Sequence, residues 1–249
     1  MGKPWNMDSK SDSILGMEIV KGFLKRKMVI LLVAFVLVFV VLFNAGFFGG
    51  KDERVRISCV GDSLTYGSGV LKTREVDSYP AQLQTMLGTS YLVSNYGLRN
   101  ATASAKGNLP YVESKPYQES LKSKPDIVIL MLGTNDTKTA NWDSASYEEG
   151  LKSLVKTYQQ LDTKPTVYLM RSPYCFDPEG GYLAAYTIQP NVVSKDLGEI
   201  INRVGEETGV QVIDLYSVTY GKNELYTDGI HFKKAGYTLL ADTVLKALK

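Results

Sequence analysis

The sequence predicts a three-layer α/β sandwich with about five parallel strands, preceded by one membrane-spanning helix. Three observations carry that expectation. Short apolar runs alternate with amphipathic stretches from about Arg54 to the end of the chain. One of those runs is apolar at every position, and a much longer hydrophobic segment lies near the N-terminus. A length of 249 residues accommodates one such domain and an extra segment, not two large domains.

The long segment is Met28–Phe43, sixteen apolar residues without interruption, and it reaches Phe48 if Asn44 and Gly46 are tolerated. About 20 helical residues at roughly 1.5 Å each cross a hydrocarbon core of about 30 Å. A buried core helix rarely runs sixteen positions without a polar side chain. Lys21, Lys25, Arg26 and Lys27 precede the run, whereas Lys51, Arg54 and Arg56 follow it, interspersed with Asp52 and Glu53. The positive-inside rule then places the N-terminus in the cytoplasm and the bulk of the chain outside. The expected division is a disordered cytoplasmic tail over 1–27, a transmembrane signal anchor over 28–48 and a catalytic domain over 51–249. A retained anchor is favoured over a cleaved signal because Phe43 spoils the small-x-small pattern before Ala45.

Composition excludes little but is not silent. With a net charge of +2, all of which is accounted for by the first 50 residues and their six Lys/Arg against three Asp/Glu, the chain lacks the basic face that nucleic-acid binding requires. One histidine and two distant cysteines provide no zinc cluster, and neither a phosphate-binding nor a dinucleotide fingerprint is present, so no metal or cofactor is expected. Two cysteines make no disulfide framework, and Cys59, inside a predicted strand, is expected to be a buried free thiol.

Val55–Val60, Tyr91–Ser94, Ile127–Leu132, Thr166–Met170 and Val210–Ile213 read as the strands, and the third suits a central strand covered on both faces. Helical spacing marks Tyr147, Leu151, Leu154, Val155 and Tyr158, after a capping box at Ser146-x-x-Glu149. It also marks Val193, Leu197, Ile200, Ile201 and Val204, and a last helix from about Lys233 with Leu240, Val244 and Leu248 on one face. This alternation is that of a flavodoxin-like sandwich, whose sites lie at the carboxyl ends of the strands.

Four short segments stand at such positions. Gly61-Asp62-Ser63-Leu64-Thr65-Tyr66-Gly67 follows the first strand, Asn95-Tyr96-Gly97 the second and Gly133-Thr134-Asn135-Asp136 the third, while Asp228-Gly229-Ile230-His231 precedes the last helix. In order and spacing these blocks resemble those of the SGNH (GDSL-type) serine hydrolases, over the chain from about Arg54 to its end. The second glycine usual in that family shortly after the Asn-Tyr-Gly block is displaced here, with Asn100 in its neighbourhood.

The chemistry is coherent without the resemblance. A serine hydroxyl is a weak nucleophile at neutral pH and needs a base, and His231 is the only imidazole in the chain. Asp228, three residues before it, is placed to hold its tautomer, which gives a triad of Ser63, His231 and Asp228. The resemblance assigns the oxyanion donors to the backbone N–H groups of Ser63 and Gly97 and the side-chain amide of Asn135. Asp62 and Asp136 are read as structural acceptors of backbone N–H groups. The long connection 171–188 carries Tyr174, Phe176, Tyr182 and Tyr186, of which Tyr174 and Phe176 are candidate substrate-binding residues.

Ser78-Tyr79-Pro80-Ala81-Gln82-Leu83 after the serine block resembles carbohydrate-esterase-like members of the family. The expected partner is therefore a small-molecule or glycan ester, with small acyl groups removed from glycans outside the cell. A lysophospholipase, a glycan acyltransferase and a non-catalytic surface binding domain are the alternatives.

Overall fold

The computed structural model describes residues 8–44, 52–178 and 186–249. The chain divides between Glu53 and Arg54 into two units.

The first unit is one helix, α1 (Asp8–Asn44), whose stretch Val20–Phe43 is 24 residues long and long and apolar enough to cross a membrane. Ala45–Phe48, the end of the expected span, lies outside the described residues. The tail expected to be disordered is helical from Asp8 onward. The reason is helix propagation: no proline occurs between Asp8 and Asn44, and extending an existing helix costs far less than nucleating one.

The second unit is built on five strands: β1 (Val55–Gly61), β2 (Tyr91–Gly97), β3 (Ile127–Met131), β4 (Thr166–Arg171) and β5 (Gln211–Asp214). They lie in the order β2-β1-β3-β4-β5, and every pair is parallel. This is the flavodoxin-like order, in which the chain reverses its direction of winding between β1 and β3. Each expected strand is present, with ends shifted by one to three residues. β2 runs on to Gly97 because β1 pairs with it as far as Gly61↔Gly97.

The helices of this unit are α2 (Ser63–Tyr66), α3 (Arg74–Asp77), α4 (Tyr79–Leu87), α5 (Lys115–Lys122), α6 (Ser144–Gln159), α7 (Pro190–Ser194), α8 (Asp196–Thr208), α9 (Leu215–Thr219) and α10 (Lys234–Ala247). Side chains alternate across the sheet and so create two cores. Val128 and Leu130 of β3 pack with Tyr147, Leu151 and Leu154 of α6 and with Leu197, Ile201 and Val204 of α8. Ile129 and Met131 face the other way, onto Leu83 of α4 and Leu240 and Val244 of α10. A strand buried on both faces has no polar face to expose, which is why β3 reads as a continuous apolar run.

The capping box is corrected. Asp143, not Ser146, caps α6, its carboxylate accepting the Ser146 N–H at 2.8 Å. Ser146 lies inside the first turn, its hydroxyl 2.7 Å from that of Ser104. Cys59 and Cys175 are both buried free thiols.

Candidate active site

The reversal point between β1 and β3 places two loops side by side, and Ser63 and Asn135 come from their first turns. β1 ends at Gly61 and the chain turns at once into α2. Asp62 is the cap of that helix, its Oδ1 accepting the Leu64 N–H at 2.9 Å, and Ser63 is the first helical residue. The serine is therefore held on a rigid junction with its hydroxyl at the sheet edge, 8% exposed.

His231 arrives from 168 positions later in a tight loop before α10. Tyr226 and Phe232 form an antiparallel bridge, and the Thr227 N–H donates to the His231 carbonyl at 2.8 Å. Gly229 in the same loop has φ +82°, and a Cβ there would stand 2.1 Å from the Phe176 carbonyl, so no other residue fits. Within this frame His231 Nε2 lies 2.9 Å from Ser63 Oγ, and His231 Nδ1 lies 2.7 Å from Asp228 Oδ2. The other oxygen of Asp228 accepts two backbone N–H groups, of His231 at 2.7 Å and Ile230 at 3.0 Å. Burial alone would raise the Asp228 pKa, but hydrogen bonds from the imidazole and these N–H groups outweigh it and hold the carboxyl below its ordinary value.

Asn135 follows β3 across the reversal point and is buried. Its amide donates to Asp62 Oδ2 at 3.3 Å and to the Ala101 carbonyl at 3.2 Å, both long bonds that a stronger acceptor can displace. Burial pushes the Asp62 carboxyl up to about 6, opposed by the Leu64 N–H, by His231 and Lys138, and by Asn135. Asp136 accepts the N–H groups of Ala103 and Ser104 at 3.0 and 2.8 Å, and burial pushes it up to about 7. Both aspartates thus accept backbone N–H groups, as the sequence suggests.

Gly97 departs from expectation. Its N–H donates to Asn95 Oδ1 at 2.9 Å, while Asn95 Nδ2 donates to the Thr65 carbonyl at 2.9 Å. An N–H already committed to a side chain is not offered to an oxyanion. The glycine instead permits close packing, since a Cβ there would lie 2.2 Å from the Tyr66 nitrogen. Asn95, which sequence reasoning passed over, is the clamp joining the end of β2 to α2; its only signal is an amide side chain beside that glycine. Three residues past Gly97, Asn100 has φ +65°, a backbone conformation that asparagine tolerates better than most residues. Its N–H has no acceptor among the described residues.

Tyr174 and Phe176 stack on each other at 5.7 Å. Tyr174 also meets Tyr216 and Tyr220, at 5.8 and 5.0 Å, and Phe176 meets Tyr226 at 5.3 Å. The Phe176 N–H donates to the Gly229 carbonyl at 3.1 Å. These contacts buttress the histidine loop from behind. Tyr186 is the aromatic residue against the imidazole, edge-on at 6.2 Å, and Tyr182 lies outside the described residues. A cleft of about 550 Å³ along the outer face of α6, lined by Glu148, Lys152 and Lys156 among others, contains none of the site residues. Among the described residues no three His, Cys, Asp or Glu side chains gather as a metal would require.

This arrangement supports proton transfer from the serine hydroxyl to the imidazole, with amide donors beside the attacking oxygen. An acetylxylan esterase of Xylanibacter ruminicola is 29% identical over 212 residues, covering 80% of this chain and 44% of that protein. The chain thus spans less than half the length of that relative. A lipase/acylhydrolase from Enterococcus faecalis superposes with a TM-score of 0.59 at 26% identity, covering 78% of this chain and 94% of the other. A carbohydrate acetylesterase family member from Sinorhizobium meliloti shares the fold, with a TM-score of 0.63 at 18% identity over 78% of this chain and 96% of that one. The model of the GDSL-like lipase/acylhydrolase family matches residues 59–239, a stretch that begins inside β1 and ends inside α10, and to that family the chain belongs.

Proposed function

We propose that this chain is a serine ester hydrolase that forms an acyl-enzyme on Ser63 and removes acetyl groups from a glycan. The observation that carries the chemistry is the unbroken hydrogen-bond chain Asp228–His231–Ser63 beside the buried Asn135 amide. Ser63 Oγ attacks the ester carbonyl as its proton passes to His231 Nε2, and Asp228 stabilises the imidazolium that forms. The developing oxyanion takes hydrogen bonds from the Ser63 N–H and from the Asn135 amide, which gives up its long bond to Asp62 or Ala101. Each such donor is worth about 3–4 kcal/mol. The Asn100 N–H takes the third place expected for Gly97, lying one residue before the carbonyl that Asn135 already touches. His231 then protonates the departing sugar oxygen, and water activated by the same imidazole releases acetate.

The glycan substrate draws its support from the acetylxylan esterase relative. A lipid acyl hydrolase is the second reading, favoured by the family's lipase/acylhydrolase description and by an apolar helix suited to a membrane. The charge asymmetry around that helix favours a catalytic domain on the outside, and Phe43, which spoils the small-x-small pattern before Ala45, favours a retained anchor over a cleaved signal.

An acyl-length series of p-nitrophenyl esters and acetylated xylo-oligosaccharides, run on the full chain in detergent, tests the assignment. Acetyl esters should be turned over fastest, and Ser63→Ala should abolish both turnover and fluorophosphonate labelling. Turnover confined to long-chain or lysophospholipid substrates replaces the glycan reading with the lipid one. Full activity in Ser63→Ala overturns the mechanism itself.

A further inference from the structure

We propose that Lys138 is an anion-recognition residue beside the catalytic serine, selecting acetylated glycans that carry a carboxylate on or next to the acetylated sugar. The inference rests on the reading of Ser63 as nucleophile and narrows its substrate.

Lys138 stands three residues past Asn135 in a run of turns that fixes its backbone. The Asn141 and Trp142 N–H groups both donate to its carbonyl, at 2.8 and 2.9 Å. Its side chain reaches across to the loop after β2, where the ammonium donates to Asn100 Oδ1 at 3.2 Å. The lysine is half-buried, and among the described residues it forms no ion pair. Other cations of this unit do: Arg56 with Asp126, Arg203 with Glu148, Lys234 with Asp77. The carboxylate whose charge acts on Lys138, Asp62, is 1% exposed and already accepts from Leu64 and Asn135. Burial lowers the Lys138 pKa, and Asp62 only partly counters this.

The Lys138–Asn100 hydrogen bond is exposed, so an anion arriving from solvent reaches an ammonium that has no ion pair among the described residues. The receptor for that anion is visible. Asn100 Oδ1 is occupied by Lys138, which leaves Asn100 Nδ2 as a second donor on the same amide. One ammonium and one neutral amide match a monovalent carboxylate and under-neutralise a phosphate dianion. The same neighbourhood offers a surface for a sugar ring. The Thr139 N–H donates to the Thr187 carbonyl at 3.1 Å and Gln189 Nε2 to the Thr137 carbonyl at 2.9 Å. The segment beginning at Tyr186, whose ring stands against His231, is thereby tied to the segment that carries Lys138. An aromatic ring at the catalytic imidazole and a cation on the segment tied to it suit a sugar bearing a carboxylate.

The test compares acetate release from O-acetylated polygalacturonate and from O-acetylated xylan by the full chain. The wild type should show the higher kcat/KM on the acidic polymer. Lys138→Met should lower the acidic-to-neutral ratio by about tenfold or more, through KM, as expected for losing a charge-assisted hydrogen bond. Lys138→Arg should retain part of the preference, and added salt should lower the ratio in the wild type more than in Lys138→Met. An unchanged ratio in Lys138→Met overturns the proposal, and so does a wild type without preference for the acidic polymer. An equal loss on both polymers also overturns it, because Lys138 would then act on the chemical step. Acetate release that survives Ser63→Ala is a separate failure, that of the underlying nucleophile assignment.

Discussion

Replacing Asp228 by asparagine keeps the shape of the side chain and removes its charge, which makes it the sharpest probe of the triad. In the structure one carboxylate oxygen faces the imidazole at 2.7 Å, and the other accepts two backbone N–H groups at 2.7 and 3.0 Å. An asparagine must choose between them. Its amide oxygen satisfies the two backbone donors, since placing NH₂ there would leave both unpaired in a partly buried loop. The NH₂ group then points at Nδ1, which must become an acceptor, and the imidazole proton moves to Nε2. That proton faces Ser63 Oγ at 2.9 Å, so the base is blocked rather than merely weakened. The corresponding substitution in serine proteases costs about 10⁴ in kcat, and at 1.36 kcal/mol per decade the expected loss here is about 5 kcal/mol of transition-state stabilisation. The assay is kcat/KM for p-nitrophenyl acetate together with the rate of fluorophosphonate labelling, with Asp228→Ala alongside. Alanine leaves room for water to accept the Nδ1 proton, so it should be no slower than asparagine. A loss smaller than about tenfold, or an asparagine variant much faster than the alanine one, would refute the tautomer argument.

Two further outcomes follow from the same geometry. Asn135→Ala should lower kcat by about 10²–10³ with a smaller change in KM, read as the single-turnover acylation rate; a change confined to KM would mean that the amide binds the ground state instead. The buried Asp62, pushed up to about 6 by desolvation, contributes stability that is present below its unfolded pKa and lost as pH rises through the folded value. The wild type should therefore lose stability between about pH 4 and pH 7 relative to Asp62→Asn, by on the order of 3 kcal/mol at most. Parallel urea-unfolding profiles of the two proteins would show that the carboxyl does not titrate in this window.

The strands were legible because their signal is local. Ile127–Met131 is apolar throughout for the same reason that it is central, and Leu197, Ile201 and Val204 repeat at helical spacing because one face of α8 meets the sheet. The cap of α6 was misplaced by three residues because Asp143 and Ser146 are both good capping residues, and only the backbone decides which one stands before the first turn. The helix reaching back to Asp8 was missed because polar composition suggests disorder, whereas an adjoining apolar helix supplies the nucleus.

At the site, elimination names only the histidine, because the chain has a single imidazole, while Ser63 and Asp228 are picked out by the order and spacing of the blocks that resemble the family's. Donor allocation is another matter. That the Gly97 N–H belongs to Asn95, that Asn100 takes a left-handed conformation, and that the Lys138 ammonium ends on Asn100 are facts about which group wins a partner. Periodicity and turn chemistry act between near neighbours and are written into the order of residues. Competition for hydrogen bonds among loops from three different strand ends is settled only when the sheet brings those loops within hydrogen-bonding distance of one another.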